Sequence, residues 1–549
     1  MQINKVSNIQ SQNNSKSVNN NSIGFKGTGF TTVMDYLATN PVWGATAVDV
    51  GSMGTPRVIV DTYNRGGGAG FETGFREYSS TANDASVGLY GLAAGAALGG
   101  MLSKYGVKNA KRIFASNDSI DVHNAKWIDN NGDVDKYIND YVENLKGFNP
   151  DNHRADANGF VRIEDGEIKE AIKNDMKALA ENNLSDKERK ITEKRLTARL
   201  IEATGSETEL VLKHGDKTVT SSVQTVTDDF YRMTKALREY GKLENTDKLV
   251  KGLKRFGRSR AVLGLGSAMA IGACFQPINV WMTKKRTGSD GFAGMEGREK
   301  DNSFKFKLMK AGSAVAMAGI ALATLQAKPS QVIDKLLFKG GVPTIDQFKG
   351  LYATTICSRM LSARDKDELM ETDRKDSLGF LNWLVVGSLV EKGMVAAMED
   401  KNNPILRYNK ESHKDGFIYK HFGEKVDRLV HSNVATRKEL VSEALVEQGV
   451  SLVRKDGKAK KVGEVINDLG KSNAKVTKNL RVKNVAQIIN YVYTCAVLGA
   501  GIPYMNITLT ERAQHKRADK INAAVRTIDN YNFVNAQTLS NASNNKNIA

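Results

Sequence analysis

The sequence predicts a mainly α-helical protein: Gly/Ala-rich apolar helices packed as a bundle, with a small α/β, hairpin-containing insertion and disordered termini. Three observations predict it. Long uncharged stretches recur along the chain, flanked by lysines and arginines. Between two of them, charged helical patterns and Val/Thr-rich runs take over. Both ends, MQINKVSNIQSQNNSKSVNNNS and NAQTLSNASNNKNIA, are Asn/Ser-rich and cannot bury enough apolar surface to offset the entropy of ordering.

In chain order, residues 1–30 form the first tail and residues 31–115 an apolar helical region. That region contains ASVGLYGLAAGAALGGMLS, Ala85–Ser103, whose small side chains let helix backbones approach closely in a bilayer or in a dense soluble core. Residues 116–245 are the soluble insertion. Asn131-Gly132, flanked by short mixed runs, suits a hairpin, and Asn158-Gly159 marks a second turn. Ser185 and Glu188 have capping-box spacing, and ELVLKHGDKTVTSSVQTV reads as a hairpin turning at His214-Gly215-Asp216.

Residues 246–330 hold a basic helix, DKLVKGLKRFGRSR, and two apolar ones, Ala261–Thr283 and Ala311–Ala327. Residues 331–483 are a charged helical region with one apolar helix, whose uncharged core, Ser377–Val390, is too short to span alone; Ser330 and Thr344 are its expected N-caps. Residues 484–532 combine the longest uncharged stretch, Asn484–Thr510, with a basic helix, and residues 533–549 are the second tail. Tyr491, Tyr493 and Tyr504 are aromatics of the kind favoured near headgroups, and Pro503 is expected to kink or end its helix. QPINVWMTKKR from Gln276 and PYMNITLTERA from Pro503 share N-[VI]-x-[ML]-T, a faint sign of duplication.

Ala261–Thr283 and Asn484–Thr510 are long enough, at about 1.5 Å per residue, to cross a hydrocarbon core roughly 30 Å thick. Basic clusters stand at both ends of each, so loop charge assigns no clear orientation. Spanning helices, interfacial helices, and buried helices of a basic soluble domain all remain open. The net charge of +18 and pI near 9.4 point to anionic partners. A mean hydropathy of −0.39 excludes a mostly intramembrane chain. Three widely spaced cysteines imply a reduced setting, and the first residues lack the apolar core of a cleavable signal peptide.

Two acidic runs resemble calcium loops. Asp129, Asn131, Asp133 and Asp140 form one, and Asp156, Asn158 and Glu167 the other; Val134 and Val161 stand where such a loop needs glycine. Solvated Asn-Gly turns explain the same residues. NRGGGAGFETG, Asn64–Gly74, lacks the spacing and the Lys-Ser/Thr of a phosphate loop and reads as a connector. His413 and His421 are the closest histidine pair, at a spacing that matches no common zinc pattern. Neither Gly-x-Ser-x-Gly nor His-Glu-x-x-His occurs, so no hydrolase signature supports an enzyme.

The expectation is therefore a non-enzymatic, membrane-associated helical scaffold or adaptor facing the cytoplasm. Anionic lipid would be contacted by Lys251, Lys254, Arg255, Arg258, Arg260, Lys284, Lys285 and Arg286, and by the Lys471–Lys483 segment. The alternative is a soluble basic α-helical protein that binds nucleic acid or acidic protein partners.

Overall fold

The computed structural model describes residues 44 and 46–546, except 109, 151, 182, 293, 295–298, 326–328, 341–342, 383–385, 401–403, 442–450, 462–463 and 466–473. The expected tail over residues 1–30 and the last three residues of the other tail, 547–549, lie outside the described residues. The chain is about 75% helical, with one small antiparallel sheet in an insertion.

A π-helical turn, Val48–Gly54, leads into α1 (Thr55–Arg65). Gly66, at φ 86°, then reverses the chain into α2 (Gly67–Ala85). The glycine-rich segment is thus a tight helix–helix turn rather than a loose connector. A Cβ on Gly70 would lie 1.9 Å from Thr62 Oγ1, so α1 and α2 can pack this closely only without one. The Ala85–Ser103 stretch yields α3 (Val87–Ala97), too short to cross a bilayer.

The insertion contains α4 (Asn117–Asp129), α5 (Val134–Glu143), β1 (Leu145–Phe148), β2 (Phe160–Arg162), α6 (Glu167–Glu181), α7 (Asp186–Thr204), β3 (Leu210–His214), β4 (Lys217–Ser221) and α8 (Val223–Tyr240). Its sheet runs β2-β1-β3-β4, all antiparallel, with Lys146 opposite Arg162, Leu145 opposite Leu212, and Leu212 opposite Val219. The predicted β3–β4 hairpin is present, and so is the reciprocal capping box of Ser185 and Glu188. Asn131-Gly132 behaves differently: it turns between two helices. Gly132 N–H donates to Trp127 O and closes α4, while the Asp133 carboxylate accepts from Asp135 and Lys136 N–H and opens α5. A capping aspartate immediately after the glycine therefore favours helix over strand at that turn. Trp127, Tyr137, Tyr141 and Phe230 fill the apolar core of the insertion.

The chain then enters α9 (Thr246–Thr287), whose Leu249, Leu253 and Phe256 belong to the insertion core. Further along, Gly264 meets the backbone of Tyr90 and Gly91 in α3: a Cβ there would lie 3.0 Å from Tyr90 O. Next come α10 (Phe304–Thr324), α11 (Ile345–Ser362) and α12 (Lys366–Leu381). Thr344 caps α11 in a second capping box with Gln347, whereas Ser330 lies inside a 3-10 turn.

A smaller unit follows: α13 (Gly387–Met398), β5 (Leu406–Arg407), α14 (Lys410–His413), α15 (Phe417–His431) and β6 (Asn433–Val434). The last helices, α16 (Ala474–Tyr493) and α17 (Ile502–Lys546), are joined by a π-helical segment, Thr494–Gly501. Helical structure continues through Pro503. The wider π turns immediately before it accommodate the ring and the missing N–H, so the expected break does not occur.

Candidate functional site

Among the described residues, three helical stretches are long and apolar enough to cross a membrane: α9, α10, and the run of residues 474–532 through α16 and α17. Protein covers only 33%, 22% and 28% of their most apolar windows. Up to Leu265, α9 buries apolar residues: Leu249, Leu253, Phe256, Ala261 and Leu265. Beyond it the polarity is inverted relative to a soluble helix, with Ala268, Gly272, Gln276, Asn279 and Thr283 facing protein and Ile271, Ile278 and Trp281 exposed, as are Val262 and Leu263 earlier. The same holds for α2, which buries Glu72, Thr73, Glu77, Ser80, Asn83 and Asp84 while Phe71 and Tyr78 stay exposed.

The buried polar faces meet in a charge network whose two halves share several residues at matching positions. In the first, Asn279 Nδ2 donates to Glu72 O (2.9 Å), and Thr283 hydroxyl donates to Glu72 Oε2 (2.9 Å). In the second, Asn506 Nδ2 donates to Glu371 O (3.0 Å), and Thr510 hydroxyl accepts from Arg374 (3.2 Å). These are the asparagines and threonines of the shared N-[VI]-x-[ML]-T sequence.

The match extends to the helices they touch. Arg65, Glu72, Thr73 and Asn83 recur at one constant spacing as Arg364, Glu371, Thr372 and Asn382, with Arg76-Glu77 matched by Lys375-Asp376. Tyr90 hydroxyl donates to Asn83 Oδ1 (3.1 Å), and Tyr493 hydroxyl donates to Asn382 Oδ1 (2.7 Å). Gly272 packs on Leu351 and Thr355 of α11, and Gly499 packs on Ser52 and Pro56, the residues at the same spacing before them. Each half thus leans on the first helix of the other. Two crossed ion pairs bind the halves together, Arg65 with Glu371 and Arg364 with Glu72; Arg364 also pairs with Glu368 (2.9 Å) within its own half.

At the centre, Arg57 pairs with Glu77 (3.0 Å) and also donates to Leu498 O (3.2 Å), while Arg359 pairs with Asp376 (3.2 Å). Lys375 Nζ lies 3.7 Å from Glu77. Arg57, Arg359 and Lys375 thus surround the buried Glu77 carboxylate. A cavity of about 50 Å³ opens beside these groups, lined by Arg65, Glu72, Arg76, Glu371, Lys375 and Asn506. That is room for a few waters.

Of the basic residues expected at lipid, Lys251, Arg255, Arg258, Lys284, Lys285 and Arg286 are exposed, though Lys284 pairs with Asp290 (2.8 Å) and Arg286 donates to Gly68 O (3.0 Å). Lys254 is paired with Asp121 (2.7 Å) and Arg258 with Asp334 (2.8 Å). Arg260 turns inward, 2% exposed, between Phe114 and Phe256, and donates to Lys111 O (3.3 Å). In the Lys471–Lys483 segment, Lys471 lies outside the described residues, Lys478 pairs with Asp400, and Lys483 is buried against Ala435 O. A larger basic concavity, about 190 Å³, sits beside the Arg260 anchor. It is lined by Lys108, Lys111, Arg112, Arg189, Arg232 and Lys235, with Asp186 and Glu239, around Tyr231, over whose ring Arg189 and Arg232 both lie.

The acidic runs are occupied locally. Asp129 faces His214 (3.2 Å), Asn131 forms the interhelical turn, Asp133 caps α5, and Asp140 pairs with Lys126 (3.0 Å). Asp156 accepts N–H from Asn158 and Phe160 to close its own turn, and Glu167 opens α6.

Sequence reading found the N-[VI]-x-[ML]-T pair but missed the Arg…Glu-Thr…Asn recurrence. Only its constant spacing could have revealed it, because the intervening residues differ. No family model matches this chain, and no curated protein or solved structure is similar to it.

Proposed function

We propose that this chain is an integral membrane protein whose paired repeats sit in the bilayer and hold the α/β insertion at the membrane surface as a scaffold. The inverted polarity of α9 carries the reading. In water, leaving Val262, Leu263, Ile271, Ile278 and Trp281 exposed forgoes the free energy of burying them. In lipid the same arrangement is favourable, and interior polar and ionisable groups are expected to face the bundle.

The basic groups at the two ends of the α9 apolar stretch, Arg255 with Arg258 and Lys284 through Arg286, lie about 40 Å apart along the helix, near the headgroup-to-headgroup thickness. Lys251, Arg255, Lys284, Lys285 and Arg286 then contact anionic headgroups, and the basic concavity around Tyr231 adds a surface of the same sign beside the N-terminal end.

Sequential washing of a membrane fraction tests this. The protein should resist high salt and alkaline carbonate and leave only with detergent. Release by salt contradicts insertion, and nuclease-sensitive sedimentation would favour the soluble nucleic-acid-binding alternative. Replacing Lys251, Arg255, Lys284, Lys285 and Arg286 by Gln should lower the anionic lipid retained on purification, at about 1 kcal/mol per basic residue near the surface.

A further inference from the structure

The unit between α13 and α16 holds a side-chain cluster that the membrane reading does not use. His413 ends α14, while Asp427 and His431 stand one turn apart near the end of α15. His431 Nδ1 lies 2.9 Å from Asp427 Oδ1, and the three potential ligand atoms of His413, Asp427 and His431 all lie within 4.8 Å of one another. Among the described residues no other group of three His, Cys, Asp or Glu side chains converges in this way.

The local fold brings them together. Gly423, at φ 81°, breaks α15 into two segments, which returns its second half toward α14. Lys410 pairs with Glu424 (2.8 Å) across the same gap. The Asp427 carboxylate is fully buried, and its second oxygen accepts from Tyr408 hydroxyl (2.6 Å), just beyond β5. That contact fixes the carboxylate so that Oδ1 alone points between the imidazoles, the outer-shell support that metal ligands usually have. The two rings lie parallel, centroids 4.3 Å apart.

We propose that His413, Asp427 and His431 form a binding site for a divalent transition-metal ion of the zinc type. Two imidazole nitrogens and one carboxylate oxygen suit a borderline cation and serve calcium or magnesium poorly. The 2.9 Å separation of His431 Nδ1 and Asp427 Oδ1 approaches the roughly 3.3 Å edge of a tetrahedron with metal–ligand bonds near 2 Å. Binding tilts the two rings out of their stack and draws His413 onto the end of α15. Three protein ligands leave one position for water or an exogenous donor. The ion would clip α14 to α15 across the Gly423 break, which local packing bridges only thinly.

The test uses the full-length protein in detergent, stripped with chelator and titrated with Zn²⁺ and with Co²⁺. One ion per chain should bind, with Co²⁺ giving the visible absorption of a four-coordinate site. His413→Ala and His431→Ala should each weaken binding at least tenfold, and Asp427→Asn should do so with the fold intact. His421→Ala, a nearby histidine outside the cluster, should leave binding unchanged. Wild-type protein that takes up no Zn²⁺ overturns the proposal. So does uptake that survives the His413→Ala/His431→Ala double substitution with unchanged Co²⁺ absorption.

Discussion

The α/β insertion and the α9-centred bundle both bury apolar clusters, but they differ in what else lies inside and in what is left outside. The insertion encloses Tyr137, Tyr141, Phe230 and Ile201 and leaves pairs such as Lys177–Asp135 in water. The bundle encloses Arg57, Glu77, Arg359 and Asp376 and exposes Val262, Leu263 and Ile278. Helix formation follows the same rules in both, with the same Ser, Thr and Asp caps and glycine turns. What differs is which face each helix leaves uncovered.

The largest predicted effect breaks the insertion side of this contrast. Phe230→Ala removes a ring packed against Tyr137 and Tyr141 (centroids 5.9 and 5.2 Å) and should cost about 3–5 kcal/mol in chemical unfolding of the insertion. A loss under about 1 kcal/mol would mean that the core is not held as described. On the bundle side, Glu77→Gln leaves Arg57, Arg359 and Lys375 without their shared carboxylate, and should destabilise the detergent-solubilised protein by a comparable 3–5 kcal/mol, roughly. If the halves arose by duplication, Glu72→Gln and Glu371→Gln should shift its melting temperature by similar amounts. Strongly unequal shifts would argue against the duplication.

A smaller effect concerns insertion itself. Leu263→Asp places a charge on the outer face of α9, at a cost of about 2.5–3.5 kcal/mol if that face meets hydrocarbon. The fraction extractable by carbonate should rise. In water the same change would be neutral or favourable, so unchanged extraction sharpens the comparison against lipid.

The insertion also carries a pH signature. Burial pushes Asp229, which accepts from Ser119 hydroxyl, up to about 7. The unfolded chain loses that proton near pH 4 and the folded chain near 7, so stability should fall as pH rises between those values. Asp229→Asn should flatten that slope; an unchanged slope assigns it to another group. Least of all, Ser185→Ala should cost about 1 kcal/mol through loss of the α7 cap.

Much of this fold was legible in the sequence, and the misses have physical causes. The β3–β4 hairpin and the Ser185 and Thr344 caps were readable because each depends on residues only a few positions apart. Asn131-Gly132 misled because a type of turn common in hairpins also closes helices when an aspartate follows. Pro503 misled because a π-helical run before it supplies the room that a regular helix lacks. The charge network was illegible for another reason. Arg65 finds Glu371, and Arg364 finds Glu72, across most of the chain, and no local pattern marks either pair. Arg260 shows the same limit: it sits in a basic run, yet it is an internal prop against Phe114 rather than a surface charge.

The contrast between the two regions is tested most directly at Cys274, an exposed thiol midway along the apolar stretch of α9. With Cys357 and Cys495 replaced by Ala, a nitroxide on Cys274 can be read in native-like vesicles by its collisions with oxygen and with a water-soluble nickel complex. A lipid-facing α9 predicts frequent oxygen collisions and near absence of nickel collisions. Free access of nickel, matching that of a label on the surface of the insertion, would contradict it.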